Sequence, residues 1–153
     1  MQQTTGRVTV TDFDPALLAD AESRVNSHWP MNIRRHDWVT DGPIPEGFDA
    51  AFGLDVLEHI DPTDETVFLS NIAASMLPSG VCIMGMPSLE SQTYASPQSR
   101  EGHVNCKSGK DLRDTMSQFF ETVFVFSMND EVVHTGFFPM AQYLLAVGSH
   151  PRH

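Results

Sequence analysis

The chain is poor in basic residues. Its 153 residues include nine Lys and Arg against twenty Asp and Glu, which gives a formal net charge of −11 at pH 7. A protein that binds a nucleic-acid backbone neutralises phosphates with Lys and Arg and releases their counterions. An excess of carboxylates repels such a backbone instead. The charge balance therefore argues against nucleic acid as a substrate or partner.

Cysteines and long apolar runs are also scarce. The two cysteines, Cys82 and Cys106, are too few for a disulfide framework, and neither belongs to a C-x-x-C pair. We interpret both as free thiols, with Cys82 as a small hydrophobe buried in the core. No apolar run approaches the ~20 residues of a membrane-spanning helix, and the first residues lack the features of a signal peptide. We expect a cytoplasmic protein that makes no contact with membranes.

The remaining composition is that of a globular protein. Hydrophobic residues make up 41% of the chain and charged residues 19%, which argues against disorder. This length and composition predict a single domain, residues 1–153, with one compact core.

Strand and helix patterns alternate along the chain. Predicted strands cover Val8–Phe13, Met31–Val39, Phe48–Leu57, Val81–Met86, Val123–Met128 and Met140–Val147, and predicted helices cover Pro15–Trp29, Thr63–Leu77 and Lys110–Phe120. Residues 87–108 are polar and irregular, and this connection is much longer than the usual length of about 4–6 residues. The alternation predicts an α/β fold with a mostly parallel sheet and helices on both faces.

Ligands of such sheets bind beyond the carboxyl ends of the strands. The residues that close the predicted strands are therefore candidates for a site, and Asp12 is the first of them. An ionised carboxylate offers only acceptors, which suits it to two vicinal ribose hydroxyls. The alternative is that Asp12 or Asp14 caps the helix that follows.

The order of these motifs resembles a known family. The motifs are Asp12, Asp37, the segment Phe48–Ile60 with Leu-Asp-Val-Leu-Glu-His-Ile, Leu77-Pro-Ser-Gly80, and the downstream segments Gln92–Asn105 and Phe126–Ala141. Together they resemble the class I S-adenosylmethionine-dependent methyltransferases of the small-molecule type. The resemblance covers nearly the whole chain and implies a Rossmann-like sheet, mostly parallel, with an antiparallel C-terminal strand.

The resemblance also implies roles for individual residues. Asp12, with Asp14 beside it, would hold the cofactor ribose, and Asp37 would meet the adenine amino group. Trp38 would lie against the adenine ring, or else pack in the core or at its rim. Leu54 and Asp55 would border the methionine end of S-adenosylmethionine. A carboxylate can accept from an exocyclic amine, and an indole offers a broad stacking face.

The chain departs from the family at its start. Family members begin with a strand and a glycine-rich cofactor loop, whereas only residues 1–7 precede the first predicted strand here. The resemblance thus implies a truncated domain without the first strand and its helix, which leaves two unpaired edges inside the sheet. Three alternatives are open. The two edges pair directly with each other, another chain covers them in a homo-oligomer or a complex with a partner, or the chain is a fragment of a longer protein. We expect a monomer to bind S-adenosylmethionine weakly or not at all.

Three histidines are candidate bases for a methyl acceptor. Methyl transfer needs alignment, and a base if the acceptor is a hydroxyl. Histidine suits this role, and His59, His103 and His134 lie in the segments that carry the resemblance. As an alternative, His59 caps a helix or bonds a backbone carbonyl.

A metal site is a further hypothesis. Related methyltransferases hold a divalent cation with similar acidic and histidine residues, and here Asp55, Glu58 and His59 form a D-x-x-E-H cluster that His103 would complete. Such ligands are compatible with magnesium, manganese or zinc.

Two functions remain in view. The first is methyl transfer to a small-molecule or sugar hydroxyl, and the second is a catalytically inactive interaction module with the same fold. The polar segment Asn129–Glu131 with His134 is either a solvated loop or a wall of the acceptor pocket. In the second case, Tyr94 and the Gln92–Asn105 segment would form its lid.

Overall fold

The computed structural model describes residues 6–130, 132–135 and 138–152. These residues fall into two compact units, with the boundary between Gly42 and Pro43.

The first unit contains a parallel pair of strands and one helix. Strand β1 (Val8–Asp12) leads to helix α1 (Pro15–Arg24), and strand β2 (Met31–Arg35) then pairs with β1 in parallel. The helix is shorter than the sequence pattern predicts, because a turn with a hydrogen bond from Trp29 N–H to the carbonyl of Asn26 follows it.

The second unit contains the other elements. They are β3 (Phe48–Leu54), α2 (Glu65–Ala74), β4 (Met76–Pro87), α3 (Pro97–Gly102), α4 (Gly109–Met116), β5 (Phe120–Asn129), β6 (Val132–His134) and β7 (Tyr143–Pro151). Three short 3₁₀ turns lie at Leu57–His59, Glu90–Tyr94 and Phe138–Met140.

Five strands of the second unit form one mixed sheet in the order β3-β4-β7-β5-β6. The pair β3 and β4 is parallel, whereas β7 is antiparallel to both β4 and β5, and β6 is antiparallel to β5. Strands β3, β4 and β5 therefore run in one direction, and β7 lies between two of them in the opposite direction. This confirms the α/β, Rossmann-like class with an antiparallel C-terminal strand.

The core of this unit lies against the sheet. The three- and four-residue spacing of apolar residues that predicts α2 is confirmed in part, since Phe68, Ile72 and Ala73 are buried but Val67 is exposed. The last two residues of that pattern, Met76 and Leu77, lie in β4 instead. Leu69 is a further buried side chain of this helix. Helix α4 adds Leu112 and Met116. Further buried side chains come from the strands: Cys82, Met84, Met86, Phe120, Leu144 and Ala146.

Strand β4 begins earlier than predicted. The sequence places Pro78–Gly80 between helix and strand, but α2 ends at Ala74 and β4 starts at Met76. The pairing with β3 shifts register here, from Phe48 opposite Met76 to Ala50 opposite Val81. A side chain at Gly80 would lie 2.9 Å from the Leu77 carbonyl oxygen, so the chain approaches itself too closely for a Cβ.

Each unit has an edge strand that pairs on one side only. Among the strands in the described ranges, β1 pairs with β2 alone and β3 with β4 alone. Phe52 and Leu54 on β3 are 49% and 47% exposed. No helix in the described part of the chain is long and apolar enough to cross a membrane.

Candidate functional site

The carboxyl end of β1 holds two carboxylates with different local roles. Asp14 is the N-cap of α1, and its Oδ1 accepts a hydrogen bond of 2.7 Å from Ala16 N–H. Oδ1 of Asp12 accepts a 2.8 Å bond from Asp14 N–H. Asp14 therefore has the capping role that the sequence left as an alternative. A carboxylate has about four acceptor positions, so Asp12 keeps capacity for a ligand hydroxyl.

The segment after β2 is a compact turn. Oδ1 of Asp37 accepts from Val39 N–H at 2.9 Å. Trp38 donates from Nε1 to Oγ1 of Thr11 at 3.0 Å, and its ring lies edge-on to His36 with 4.6 Å between centroids. The indole is therefore held in one orientation beside β1, and it is half-buried, as expected of a side chain at the rim of the core.

The turn after β3 positions the main cluster of the second unit. Asp55 has φ of +55°, a left-handed conformation that Asp tolerates better than most residues. The reversal leads into the 3₁₀ turn Leu57–His59, which buries Leu57 and Glu58 and leaves the side chain of His59 about half exposed.

Glu58 is a buried acid without a partner. Its relative exposure is 0%, and within the described residues neither carboxylate oxygen has a hydrogen-bond partner. Burial raises the pKa of Glu58, and the nearby Asp55 charge raises it further, although the residue's own backbone amide and His59 oppose the rise. An ionised Glu58 is therefore costly unless a positive group lies beside it.

Two histidines lie next to Glu58. His59 Nε2 is 3.9 Å from Glu58 Oε1, and the rings of His59 and His103 are 5.2 Å apart between centroids. One ligand atom from each of the three residues lies within 4.8 Å of the other two. The structure thus brings together residues that are 45 positions apart in sequence.

Hydrogen bonds orient both imidazoles. His59 Nδ1 is 2.8 Å from the Gly102 carbonyl oxygen, and His103 Nδ1 is 2.9 Å from Oε1 of Gln92. Both partners are acceptors, so each neutral ring carries its proton on Nδ1 and a lone pair on Nε2. The orientation of the Gln92 amide is consistent with this, because its nitrogen lies near the Ser88 carbonyl and Ser91 Oγ.

A polar network around the buried Asn105 holds the His103 segment against the turn. Asn105 donates from its backbone to the Glu58 carbonyl at 3.0 Å and from Nδ2 to Glu65 Oε2 at 2.7 Å. Lys107 bonds the same Glu65 oxygen at 2.8 Å and Asn105 Oδ1 at 3.2 Å. This network determines where His103 lies relative to Glu58.

Asp55 and His134 lie outside the three-residue group. Asp55 is exposed, and its carboxylate has Tyr143 as a neighbour; burial and that carboxylate raise the pKa of the Tyr143 hydroxyl. His134 is in β6, opposite Ser127 of β5. The sequence placed residues 132–134 in a connection, and they form a strand instead. Glu131 lies outside the described residues.

An open cleft of about 290 Å³ adjoins His103. The segment that was expected to form a lid contributes most of its lining, with Pro87 and Gln142 from the ends of the sheet: Pro87, Ser91, Gln92, Tyr94, Ala95, Ser99, His103 and Gln142. The Gln92–Asn105 segment is thus not a simple loop but two short helical turns around a polar recess.

Sequence reasoning missed three supporting residues. Gln92, Asn105 and Tyr143 contact the candidate site residues, but none belongs to a recognisable catalytic pattern. The polar character of residues 87–108 was the available signal for Gln92 and Asn105. No signal distinguished Tyr143 from other strand aromatics.

Similarity to known proteins appears in the structure rather than in the sequence. No protein-family model matches the sequence, and a comparison with curated proteins gives no match. Among solved structures, 320 chains match significantly.

Three of these structures illustrate the likeness. A chain of the complex between the Haloferax volcanii Trm112 methyltransferase activator and a methyltransferase has a TM-score of 0.79 at 14% identity, over 99% of this chain and 76% of that one. A Thermotoga maritima S-adenosylmethionine-dependent methyltransferase, a possible histamine N-methyltransferase, gives 0.73 at 16% identity, over 93% and 72%. The N-methyltransferase NodS from Bradyrhizobium japonicum, bound to S-adenosyl-L-homocysteine, gives 0.67 at 19% identity, over 95% and 67%. This chain therefore has the class I methyltransferase fold.

Proposed function

We propose that this chain, with its methyltransferase fold, functions in S-adenosylmethionine-dependent methyl transfer to a hydroxyl of a small molecule or sugar. The observation that carries the proposal is the convergence of Glu58, His59 and His103 beside an open cleft in the second unit. Such a site is suited to binding an acceptor and taking up its proton.

The residues present fit parts of the cofactor. S-adenosylmethionine, when bound, supplies a methyl group activated on a sulfonium. In the first unit, Asp12 retains acceptor capacity for ribose hydroxyls, Asp37 offers a carboxylate, and Trp38 presents an oriented indole. In the second unit, Leu54 and Asp55 are the proposed residues for the methionine end. Asp14 already caps helix α1 and therefore contributes little to binding the ribose.

Either His59 or His103 would accept the proton of the acceptor hydroxyl. Both rings are held through Nδ1, so the Nε2 lone pair is the available base. His103 lines the cleft and is the first choice, whereas His134 remains a third candidate. A general base contributes roughly 10²–10⁴-fold, so we expect His103→Gln to lower turnover within that range in an assay with a hydroxyl acceptor.

Cofactor binding is tested most directly by thermal stability. A ligand that binds only the native state stabilises it by about 2.7 kcal/mol at 100 times its Kd. We expect millimolar S-adenosylmethionine or its demethylated product to raise the melting temperature of the homo-oligomer or of the chain with its partner, and Asp12→Asn to reduce that rise. Asp49→Asn, at an exposed position of β3, is the matched control. No rise with either ligand in the assembled wild-type protein would contradict the proposal.

The unpaired edges favour a second candidate, an interaction module. Strands β1 and β3 each have one partner in the described part of the chain, and Phe52 and Leu54 are exposed on β3. Exposed edges of this kind accept strands from other chains. We propose that a second copy or a partner chain covers them.

The oligomeric state tests whether another chain covers the exposed strand edges. Light scattering on a size-exclusion column should show an assembly larger than 17.0 kDa, or a monomer that forms one with its partner. Phe52→Lys should weaken the assembly and leave the far-ultraviolet circular dichroism unchanged. Assembly without any cofactor-dependent stabilisation would favour the interaction module over the enzyme.

A further inference from the structure

We infer that one face of the five-stranded sheet is a docking surface for a basic amphipathic helix of a partner protein. The inference goes beyond methyl transfer and beyond the strand edges, because it concerns the broad face of the sheet and names the chemistry of its occupant. Three observations carry it: the exposure of an apolar face, the shape of that face, and the charge of the unit that surrounds it.

The two faces of the sheet differ in burial. Helices α2 and α4 pack against strands β4, β5 and β7, and the side chains on one face of β4 and β7 are buried: Cys82, Met84, Met86, Leu144 and Ala146. Successive side chains of a strand point to opposite faces. Those that point to the other face are half-buried or exposed: Val81, Ile83, Leu145 and Val147. We call this second face the open face.

The open face continues across four strands. Phe52 of β3 lies opposite Ile83 of β4. On the other side of β4, Val147 of β7 pairs with Ile83 and also with Phe124 of β5, which is 60% exposed. The positions of the open face on these four strands, all within the described residues, carry no Asp, Glu, Lys or Arg. A contiguous exposed apolar surface of this kind marks an interaction site.

The shape of the open face suits a single helix. Phe52 and Phe124 stand on strands three intervals apart, which corresponds to about 14 Å, and the smaller Ile83 and Val147 lie between them. In the next row the centre is Gly85, which has no side chain. An α-helix with its side chains is about 10–12 Å wide, so one helix fits between the two phenylalanines. Sheets with parallel strands are usually covered by helices on both faces.

The charge of the unit selects the occupant. Residues 43–153 include fourteen Asp and Glu against five Lys and Arg, and the exposed Asp55 and Asp130 directly follow β3 and β5. Two copies of this unit would repel each other across a shared face, whereas a positively charged partner would be attracted. The occupant is therefore a helix of another protein, with an apolar stripe toward the sheet and Lys or Arg on its flanks.

A model peptide tests the inference. The probe is a dye-labelled peptide of about 18 residues, which spans about 27 Å as a helix, with a leucine stripe and lysines on the remaining faces. The matched peptide has glutamate in place of every lysine. The full chain is titrated into each peptide, and binding is followed by fluorescence anisotropy.

The two peptides should behave differently. We expect the lysine peptide to bind at one per chain and at least about tenfold more tightly than the glutamate peptide, with an affinity that falls as salt screens the charges. No binding of the lysine peptide, or equal binding of both peptides, would overturn the inference.

Variants locate the peptide. Phe124→Ser removes a large apolar side chain from the open face, three strands away from the β3 edge. Because aromatic side chains dominate interface energies, it should weaken binding of the lysine peptide at least about tenfold. Val67→Ser, at an exposed position of α2, is the matched control and should bind normally. Unchanged affinity of a folded Phe124→Ser protein would contradict the inference.

Two further measurements complete the test. If circular dichroism shows that Phe124→Ser does not fold, Val147→Thr decides, because it keeps the shape of the side chain and adds a hydroxyl that docking would bury; it should weaken binding several-fold, and unchanged affinity would refute the site. Light scattering on the chain without peptide tests the other occupant, since a dimer that Phe124→Ser dissociates would assign the open face to a second copy instead. None of these measurements uses cofactor or acceptor, so their outcome is separate from that of methyl transfer.

Discussion

Replacing Asn105 by Ala should destabilise the protein strongly, because this buried side chain links two charged groups. It donates to Glu65 at 2.7 Å and accepts from Lys107 at 3.2 Å. A hydrogen bond to a charged group contributes about 1.5–3 kcal/mol. The ion pair between Glu65 and Lys107 remains in the variant, so we expect a net loss near the low end of the sum, about 3 kcal/mol.

Urea unfolding and thermal melting measure this loss. For a chain of this size, each kcal/mol lowers the melting temperature by about 2–4 °C, so the expected decrease is about 6–12 °C. Asn32→Ala, at an exposed site on β2, is the matched control and should stay within about 0.5 kcal/mol of wild type.

A double-mutant cycle separates the network from simple loss of packing. Asn105→Ala and Glu65→Gln share a hydrogen bond, so their effects should fall short of additivity by at least about 0.5 kcal/mol. A loss below about 1 kcal/mol for Asn105→Ala, or fully additive effects, would refute the argument that this network holds the His103 segment in place.

Three further outcomes follow from the structure. A Cβ at Gly148 would lie 2.7 Å from Cγ of the buried Phe120, so Gly148→Ala should cost about 1–3 kcal/mol in urea unfolding. Burial raises the pKa of Glu58 above its ordinary 4.5, so the proton that Glu58 binds stabilises the folded protein. This contribution to the free energy of unfolding is complete below pH 4.5 and is lost as pH rises through the folded-state pKa. Glu58→Gln should flatten this part of the profile of stability against pH, and an unchanged profile would contradict the argument. Burial raises the pKa of Cys82 to about 12 and that of Cys106 to about 11, and the Glu58 charge contributes to the second shift. A thiol reagent at pH 8 should therefore label the native chain slowly, with Cys106 reacting before Cys82, whereas both thiols should react rapidly in urea.

The local elements were largely predictable from the sequence. The β-rich runs at β1 and β3 and the spacing of Phe68, Ile72 and Ala73 in α2 reflect periodicities that the backbone imposes on any buried face. The boundaries were less predictable. Helix α1 and strand β2 both end early because side chains and turns compete locally for backbone hydrogen bonds.

Strand β6 escaped prediction for a different reason. Residues 132–134 are a short edge segment that pairs only with β5 in the described sheet. Such a segment has little hydrophobic patterning of its own, since one edge and much of its surface face solvent. Its pairing depends on the partner strand rather than on its own sequence.

The sequence alone determined the α/β class and the candidates Asp12, Glu58, His59 and His103, because strand ends and residue chemistry are local properties. Only the tertiary structure decided which candidates meet. Asn105 brings His103 to the Leu57–His59 turn, whereas the Asp55 carboxylate lies beside Tyr143 and is not one of the three converging groups. Such convergence depends on long-range packing, and so does the burial of Glu58 without a hydrogen-bond partner in the described residues. Neither can be predicted from the spacing of residues along a chain.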